Sequence, residues 1–513
     1  MTTEPRRPRL LLVSHSYRPE RTPPARRWGA VVAALRSAGW DVDVVAPGGV
    51  RPFAGPDGER VLPTPRLPLG EAGRNGRFAE AVVHALLAIP RGMATRRPDV
   101  VVATVPALPV VVPGVVLSRL WRRPLVLEMR DAWPDLAHEA GVHQGLLGAA
   151  MERVVTGGQR AARLVVTVTD GFAETLRGRG VRVVRTLGNG VDLARLAVAP
   201  RRERAAGELH VLYLGNMGES QGLERLIDAA ATLRRTRPGV RVRLVGEGTR
   251  RPALEARNAE LGSPAEILGP VHGAAVAEQY AWADTLVVAL RPDWPSFRHT
   301  VPSKTYEVLA VGRHVTGLVT GEAARTLEAA GGAEVIGPDV DDLVRHLTAL
   351  ADDPHRTDVG AGGRDWVRRH ADLPAVARRY ERLLPADGLP HDERWFRRLY
   401  GDDELDLWLI NWVPERSTEL HDHGGSLGAL TVVSGALEET RWDGRGLRQR
   451  TLEAGDQAAF PLGWVHDVVR AGADVVPPSL PTLSVHAYSP PLTAMSYYDV
   501  TESQKLLIVV LAE

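Results

Sequence analysis

A chain of 513 residues is too long for one hydrophobic core, and a prior of roughly 150 residues per domain gives two to four domains. A formal charge of +1 excludes a large field of one sign, and with it nucleic acid as an expected partner. The absence of cysteine excludes disulfides, thiolate metal sites and cysteine nucleophiles.

Met1 to Arg9 is polar and basic and runs directly into the strand-like Leu10–Val13, so no signal peptide is expected. The longest apolar stretch, Val100 to Leu117, is interrupted by Pro106, Pro109 and Pro113 and reads as a buried strand and loop, not a membrane span. The expectation is a cytoplasmic protein. Leu10–Val13, Val42–Ala46, Val100–Thr104, Leu125–Glu128 and Leu164–Thr169 have strand length and composition, and helical stretches such as Ala25–Ala38 lie between several of them. A second cycle runs through Leu209–Leu214, Val240–Val245, Ala265–Leu268 and Thr285–Ala289. This alternation predicts an α/β architecture of two Rossmann-like domains, residues 1–195 and 205–384. The segment from Asn189–Asp192 through the Arg/Ala/Pro-rich 196–207 reads as the linker between them. A ligand is expected in the cleft at the carboxyl ends of both sets of strands. His15–Pro19, Arg27 and Glu128–Pro134 are expected to face that cleft from the first domain.

Leu212–Leu214 runs into Gly215-Asn216-Met217-Gly218, and Leu244–Val245 into Gly246-Glu247-Gly248. A strand ending in a glycine-rich turn ahead of a helix exposes backbone N–H groups that can cradle a diphosphate. The more specific feature is Val301-Pro302-Ser303-Lys304-Thr305-Tyr306-Glu307. Lysine is otherwise found only at Lys505, so Lys304 reads as a point-charge phosphate contact, with an exposed helix-start lysine as the alternative. Taken in order, these elements resemble the retaining glycosyltransferases of family four, which have the GT-B fold, and among them the subgroup that builds bacterial surface polysaccharides. The resemblance implies a nucleotide-sugar donor, with Glu307 accepting hydrogen bonds from the ribose and Ser303 and Lys304 near the donor phosphates. It also implies clamps on the leaving diphosphate in place of an obligatory metal. Two positions depart from the family: His299 stands where many members have a second glutamate, and Gln221 where a lysine is common. In the first domain Asp131 is the candidate for contacting or deprotonating the acceptor hydroxyl; a helix cap or an ion pair with Arg130 is the alternative. A lipid-linked acceptor would add peripheral membrane association.

After Leu384 the pattern changes. Pro385–Pro390 is a turn-rich linker, and beyond it Asp406–Trp412, Ala429–Val433 and Val485–Tyr488 are closely spaced strands with little helix between them, which predicts an all-β barrel or sandwich over 391–513. His421-Asp422-His423 places two imidazoles on one face if it lies in a strand, and Gly455-x(5)-Pro461-x-Gly463-x-x-His466 supplies a third. These clusters resemble the paired motifs of the cupin superfamily, which implies a metal on His421, His423 and His466. The glutamate usual in the first motif is replaced by Gly428, so three imidazoles would leave three positions open on Fe(II).

Leu407–Trp412 leading to His421–Gly428, together with Ser484-Val485-His486-Ala487-Tyr488, resembles cysteine dioxygenase, especially the shorter bacterial type. The resemblance implies a relay of Ser484, His486 and Tyr488 that ends beside an iron, oxidation of cysteine or a related small thiol by O2 to the sulfinate, and an arginine that binds the substrate carboxylate. Ungapped counting puts Phe396 at the arginine position; Arg398 shares its strand parity and is the candidate, with Arg394 the weaker choice. Two other readings stay open: a cupin that binds or epimerises sugars without redox chemistry, and a glycosyltransferase half that only senses nucleotide sugars.

Overall fold

The structure is a computed structural model, and it describes residues 7–20, 22–66, 73–105, 107–139, 141, 146–200, 202–384, 395–414, 417–472, 475–476, 481–500 and 506–512. Eight strands form the first sheet: β1 (Arg9–Ser14), β2 (Asp41–Pro47), β3 (Phe53–Ala54), β4 (Arg60–Thr64), β5 (Val100–Val105), β6 (Leu125–Met129), β7 (Leu164–Thr167) and β8 (Val184–Thr186). Their order is β3-β4-β2-β1-β5-β6-β7-β8, and every pairing is parallel except that of β3 with β4. Helices cover both faces, which is why Leu10 through Val13 can be an unbroken apolar run: alternate residues enter two different cores.

The stretch following β5 differs from its expected loop. Val111–Trp121 is a helix, preceded by a short 3-10 turn at Leu108–Val110. Pro109 and Pro113 fall in the first turns, where a missing N–H leaves no bond unmade. Among the described residues no helix is long and apolar enough to cross a membrane.

The second sheet is wholly parallel, with β9 (Leu209–Leu214), β10 (Val240–Val245), β11 (Ala265–Leu268), β12 (Thr285–Ala289), β13 (His314–Leu318) and β14 (Ala333–Val335) in the order β11-β10-β9-β12-β13-β14. The helix Leu373–Leu383 then returns to the first sheet. Its Val376, Ala377 and Tyr380 share a core with Leu10, Trp28 and Val31, and the Trp28 and Tyr380 rings meet edge to face at 5.0 Å.

The remaining strands are antiparallel: β15 (Trp395–Gly401), β16 (Asp406–Trp412), β17 (Leu427–Ser434), β18 (Ala436–Trp442), β19 (Leu447–Glu453), β20 (Gln457–Phe460), β21 (His466–Arg470), β22 (Thr482–Ser489), β23 (Met495–Val500) and β24 (Leu506–Ala512). One sheet runs β15-β16-β22-β17-β20 and another β19-β18-β21, with Trp412, Leu430, Leu437, Phe460 and Val468 in the core. Alternation along the strands gives the larger sheet two different faces. Trp408, Ile410 and Trp412 line an inner cavity, while Leu409 and Leu483 pack against the first sheet's core. Arg397 lies over the Trp40 ring at 5.4 Å and donates to the Glu381 carbonyl at 2.8 Å, fixing the β-domain to the returning helix. The expected linker 385–390 and Arg394 lie outside the described residues.

Candidate active sites

His421, His423 and His466 converge in a cavity of about 250 Å³. Their nitrogens lie within 4.8 Å of one another, where metal–nitrogen bonds of about 2.1 Å at right angles would set neighbouring nitrogens ~3 Å apart. The local structure differs from the expected strand. His421 forms isolated bridges to His466 and Tyr497, and His423 sits in the turn ahead of β17. Asp422 holds this turn outward, accepting from Gly424 N at 3.0 Å and from the Tyr498 hydroxyl at 2.8 Å. The His421 Nδ1–H donates to the Glu419 carbonyl at 2.8 Å, and the His466 Nδ1–H to Glu439 at 2.9 Å. Both imidazoles therefore present Nε2 lone pairs, and His466 Nε2 lies 3.5 Å from His423 Nε2. Burial, reinforced by the other two imidazoles, pushes His423 down to about 3, so it stays neutral and able to ligate. Three converging imidazoles with no carboxylate among them are a donor set that fits ferrous iron.

Glu439 was not legible in the sequence. It is fully buried on β18 and also accepts from Trp464 Nε1 at 3.2 Å and from Arg450. Burial alone would raise this carboxyl; the bonds from His466, Arg450 and Trp464 outweigh it and bring the group down to about 2. Gly428 has a steric reason: a Cβ there would stand 2.9 Å from His423 Nδ1 and 3.0 Å from the Phe460 ring.

The relay is assembled along β22. Trp412 Nε1 donates to Ser484 Oγ at 2.8 Å, Ser484 Oγ lies 2.9 Å from His486 Nε2, and His486 Nδ1 lies 3.2 Å from the Tyr488 hydroxyl. Because the indole can only donate, the chain has a natural sense: Ser484 donates to Nε2, the Nδ1–H donates to the phenol oxygen, and the phenol can donate in turn. Tyr488 ends beside His423, with ring centroids 5.0 Å apart.

Arg398 has a partner in its own strand pair. Register pairs it with Trp408 on the cavity side of β15, but its guanidinium folds back over Gly401 and is held by Asp406, with Nε 2.6 Å from Oδ1. Its Cζ lies 6.0 Å from the ring of the cavity-lining Trp408, and Arg398 is not itself among the lining residues. Phe396, at the counted position, does line it, edge to face with Trp408 at 5.7 Å.

Between the two parallel sheets lies a cleft of about 660 Å³. Gly215, Asn216, Ser303, Lys304 and Glu307 all line it. Glu307 accepts from Lys304 Nζ at 3.0 Å and from the Tyr280 hydroxyl at 2.7 Å. Burial pulls its carboxyl up, but Lys304 and Tyr280 outweigh that and hold it below the usual carboxylate range. Burial also pushes the Lys304 ammonium down from its ordinary value. Gly246 is placed differently. Its φ is +153°, a Cβ there would strike the Gly215 carbonyl, and it is not among the cleft-lining residues, so it serves close packing of the two turns. Gln221 lines the cleft while its side chain accepts from Gly218 N at 3.0 Å, holding the turn. His299 packs against Gly171 of the first domain.

On the acceptor side Glu128 and Asp131 are not among the residues lining this cleft. Glu128 is fully buried, ion-paired to Arg27 at 2.8 Å and accepting from Trp28 and Thr104 at 2.7 Å each. Arg27 donates in turn to the carbonyls of Leu187 and Gly188, and so positions Asn189–Asp192, which line the cleft instead of merely linking domains. Asp131 follows β6 beside Arg130 and Trp133 and is not a lining residue; burial raises its carboxyl above the usual range. Tyr280 and Arg26 belong to the lining or its support and carried no local motif.

Residues 24–190 match the family described as glycosyl transferase 4-like domain, 208–353 that of glycosyl transferases group 1, and 389–501 that of cysteine dioxygenase type I. Glycogen synthase of Mycobacterium tuberculosis is 27% identical over 378 residues, covering 67% of this chain and 86% of the relative. D-inositol 3-phosphate glycosyltransferase of Pseudarthrobacter chlorophenolicus is 29% identical over 313 residues, 53% of this chain and 70% of its own. Among solved structures, sucrose-phosphate synthase from Thermosynechococcus elongatus has a TM-score of 0.61 at 18% identity, covering 74% of this chain and 98% of that one. Anabaena HepE in complex with UDP and glucose has 0.55 at 17%, covering 73% and 99%. These structural likenesses establish the GT-B fold.

Proposed function

We propose that this chain, whose segments match glycosyl transferase families and the cysteine dioxygenase type I family, is a bifunctional enzyme. One half transfers a sugar from a nucleotide donor to an acceptor with retention of configuration. The other oxidises a small thiol of the cysteine class to its sulfinate. The observation that carries the second activity is the convergence of three buried histidines and the Ser484–His486–Tyr488 chain on one cavity.

Iron(II) held by His421, His423 and His466 would supply the redox chemistry by which both atoms of O2 join the thiolate sulfur. Around it the protein's own groups orient and exclude. Glu419 and Glu439 fix the tautomers of His421 and His466. Tyr488, steadied by His486, offers a hydroxyl next to His423 that would donate to a thiol substrate held there. Trp408, Ile410 and Trp412 keep water from the sulfur.

In the cleft, Glu307 accepts from the donor's ribose hydroxyls, an ionised carboxylate already pre-organised by Tyr280 and Lys304. Lys304 Nζ, the N-terminus of the helix Ser303–Ala310 and the Gly215–Asn216 turn face the departing diphosphate. Holding that charge lowers the barrier to an oxocarbenium-like transition state. HepE binds UDP, so UDP-glucose is the first donor to try.

Two assays test the pair separately. The purified chain should hydrolyse or transfer from a nucleotide sugar, and Glu307→Ala should abolish this. The iron-loaded chain should take up O2 with a thiol and lose that activity in His421→Ala. Failure of either wild-type activity removes that half of the proposal.

A further inference from the structure

Among the described residues, four cations line the cleft between the two parallel sheets: Arg26, Arg27, Arg195 and Lys304. Arg27 is ion-paired with Glu128 at 2.8 Å, Arg195 with Asp192 at 3.1 Å and Lys304 with Glu307 at 3.0 Å. Of the four, Arg26 alone has no carboxylate within ion-pair distance among the described residues. It belongs to the first turn of the helix Pro23–Ser37, whose Pro23 also lines the cleft. Arg27 and Trp28 both donate to Glu128 and fix the start of this helix to the first sheet. Arg26, about 100° round the helix from Arg27, is left exposed, and its charge reaches Lys304 and Glu307 on the opposite wall. The backbone donors at this helix start are spent. Pro23 and Pro24 have no N–H, Ala25 N donates to the Thr22 hydroxyl at 3.3 Å and Arg26 N to the Thr22 carbonyl at 3.0 Å. What the helix can offer an anion is therefore the Arg26 guanidinium. Across the cleft Gln221 is neutral, and its side-chain oxygen is taken by Gly218 N at 3.0 Å.

From this we infer that Arg26 is a donor-binding residue supplied by the first domain, gripping the terminal phosphate of the nucleotide sugar from the wall opposite Lys304. The inference rests on the nucleotide-sugar reading of the cleft and deepens it. The chemistry of the donor chooses the phosphate. The terminal phosphate carries the sugar, and the sugar faces an acceptor on the first domain's side, so this phosphate is the one nearer Arg26. A planar guanidinium can give two parallel N–H bonds to phosphate oxygens, a fit that an ammonium group does not match. Negative charge gathers on this phosphate as the sugar departs, and a cation placed there is worth more at that stage than in the resting complex. Arg26 thus separates nucleoside diphosphates from monophosphates, because only the former reach it while Glu307 and Lys304 hold the other end of the ligand.

The test is calorimetric titration of the full-length chain with UDP, ADP, GDP, the corresponding monophosphates and inorganic pyrophosphate, repeated with Arg26→Ala and Arg26→Lys. Arg26 is exposed, so both variants should keep the wild-type melting temperature. Arg26→Ala should weaken the preferred nucleoside diphosphate, and pyrophosphate with it, by about tenfold or more, and should move the monophosphate by less than about twofold. Arg26→Lys should recover part of the loss, since it keeps the charge and gives up the paired N–H bonds. Unchanged diphosphate affinity in Arg26→Ala makes the residue a solvated surface group and overturns the inference, leaving the donor site in place. Equal losses for diphosphate and monophosphate also overturn it, because they put the contact away from the terminal phosphate. Binding of none of these ligands by the wild-type chain removes the nucleotide-sugar reading and the inference together.

Discussion

Glu439→Gln is the most informative single change in the metal site. The carboxylate has no exposure to solvent and receives three donors: His466 Nδ1 at 2.9 Å, Trp464 Nε1 at 3.2 Å and Arg450. Those donors keep it ionised despite burial, so the bond from His466 is charge-assisted and pushes electron density toward Nε2. Glutamine keeps the shape and one acceptor oxygen but removes the charge. Loss of such a partner typically weakens a metal site by about 10- to 100-fold, or about 1.4–2.8 kcal/mol. The assay is competition for Co(II) against a chromogenic chelator, with thermal unfolding of the metal-free proteins measured in parallel. Metal affinity should fall within that range while the metal-free melting temperature moves by only a few degrees. Unchanged affinity would refute the idea that Glu439 tunes His466, and a loss matched by metal-free unfolding would make it a packing residue.

Other changes follow from the same geometry. Gly428→Ala puts a methyl group 2.9 Å from His423 Nδ1 and should lower metal affinity by at least tenfold without altering nucleotide binding, as read by the same competition and by UDP titration. Tyr280→Phe removes a 2.7 Å bond to an ionised acceptor and should weaken nucleotide binding by about 1.5–3 kcal/mol in calorimetry. Arg27→Ala strands the buried Glu128 charge and should cost about 3–5 kcal/mol in the urea transition of the first domain. Burial alone would raise Glu128, but Arg27 and Arg130 outweigh it and hold the group below its ordinary value. Its contribution in the wild type is therefore full above the ordinary carboxylate range and is lost as pH falls through the lowered value, whereas in the Arg27 variant protonation relieves the stranded carboxylate, so the stability gap between the two proteins should narrow as pH falls.

Much of this could be read in the sequence because the signals were local. β16 matches its predicted bounds, Asp406–Trp412, and the unbroken apolar runs of β1 and β5 mark strands covered on both faces. His421, His423 and His466, and the relay at alternate positions of β22, were legible because motif spacing and strand parity fix them. What stayed hidden depends on pairing between distant segments. Tyr280 meets Glu307 from another helix, and Glu439 reaches His466 only because β18 and β21 are neighbours, with Arg441 opposite His466. Arg398 has the right parity, but nothing in its own strand announces that Asp406 will hold it. The helix Val111–Trp121 was hidden by its prolines, which sit where a helix tolerates them.

The central claim, that one chain couples a nucleotide-sugar cleft to a thiol-oxidising iron site, is tested most directly at the sulfur. The iron-loaded chain is supplied with cysteine, then with other small thiols, under isotopically labelled O2, and the product is analysed by mass spectrometry. The account predicts a sulfinate carrying both labelled oxygen atoms, formed one for one with O2 consumed and absent in His466→Ala. A disulfide product, a singly labelled product, or no uptake with any thiol would contradict it.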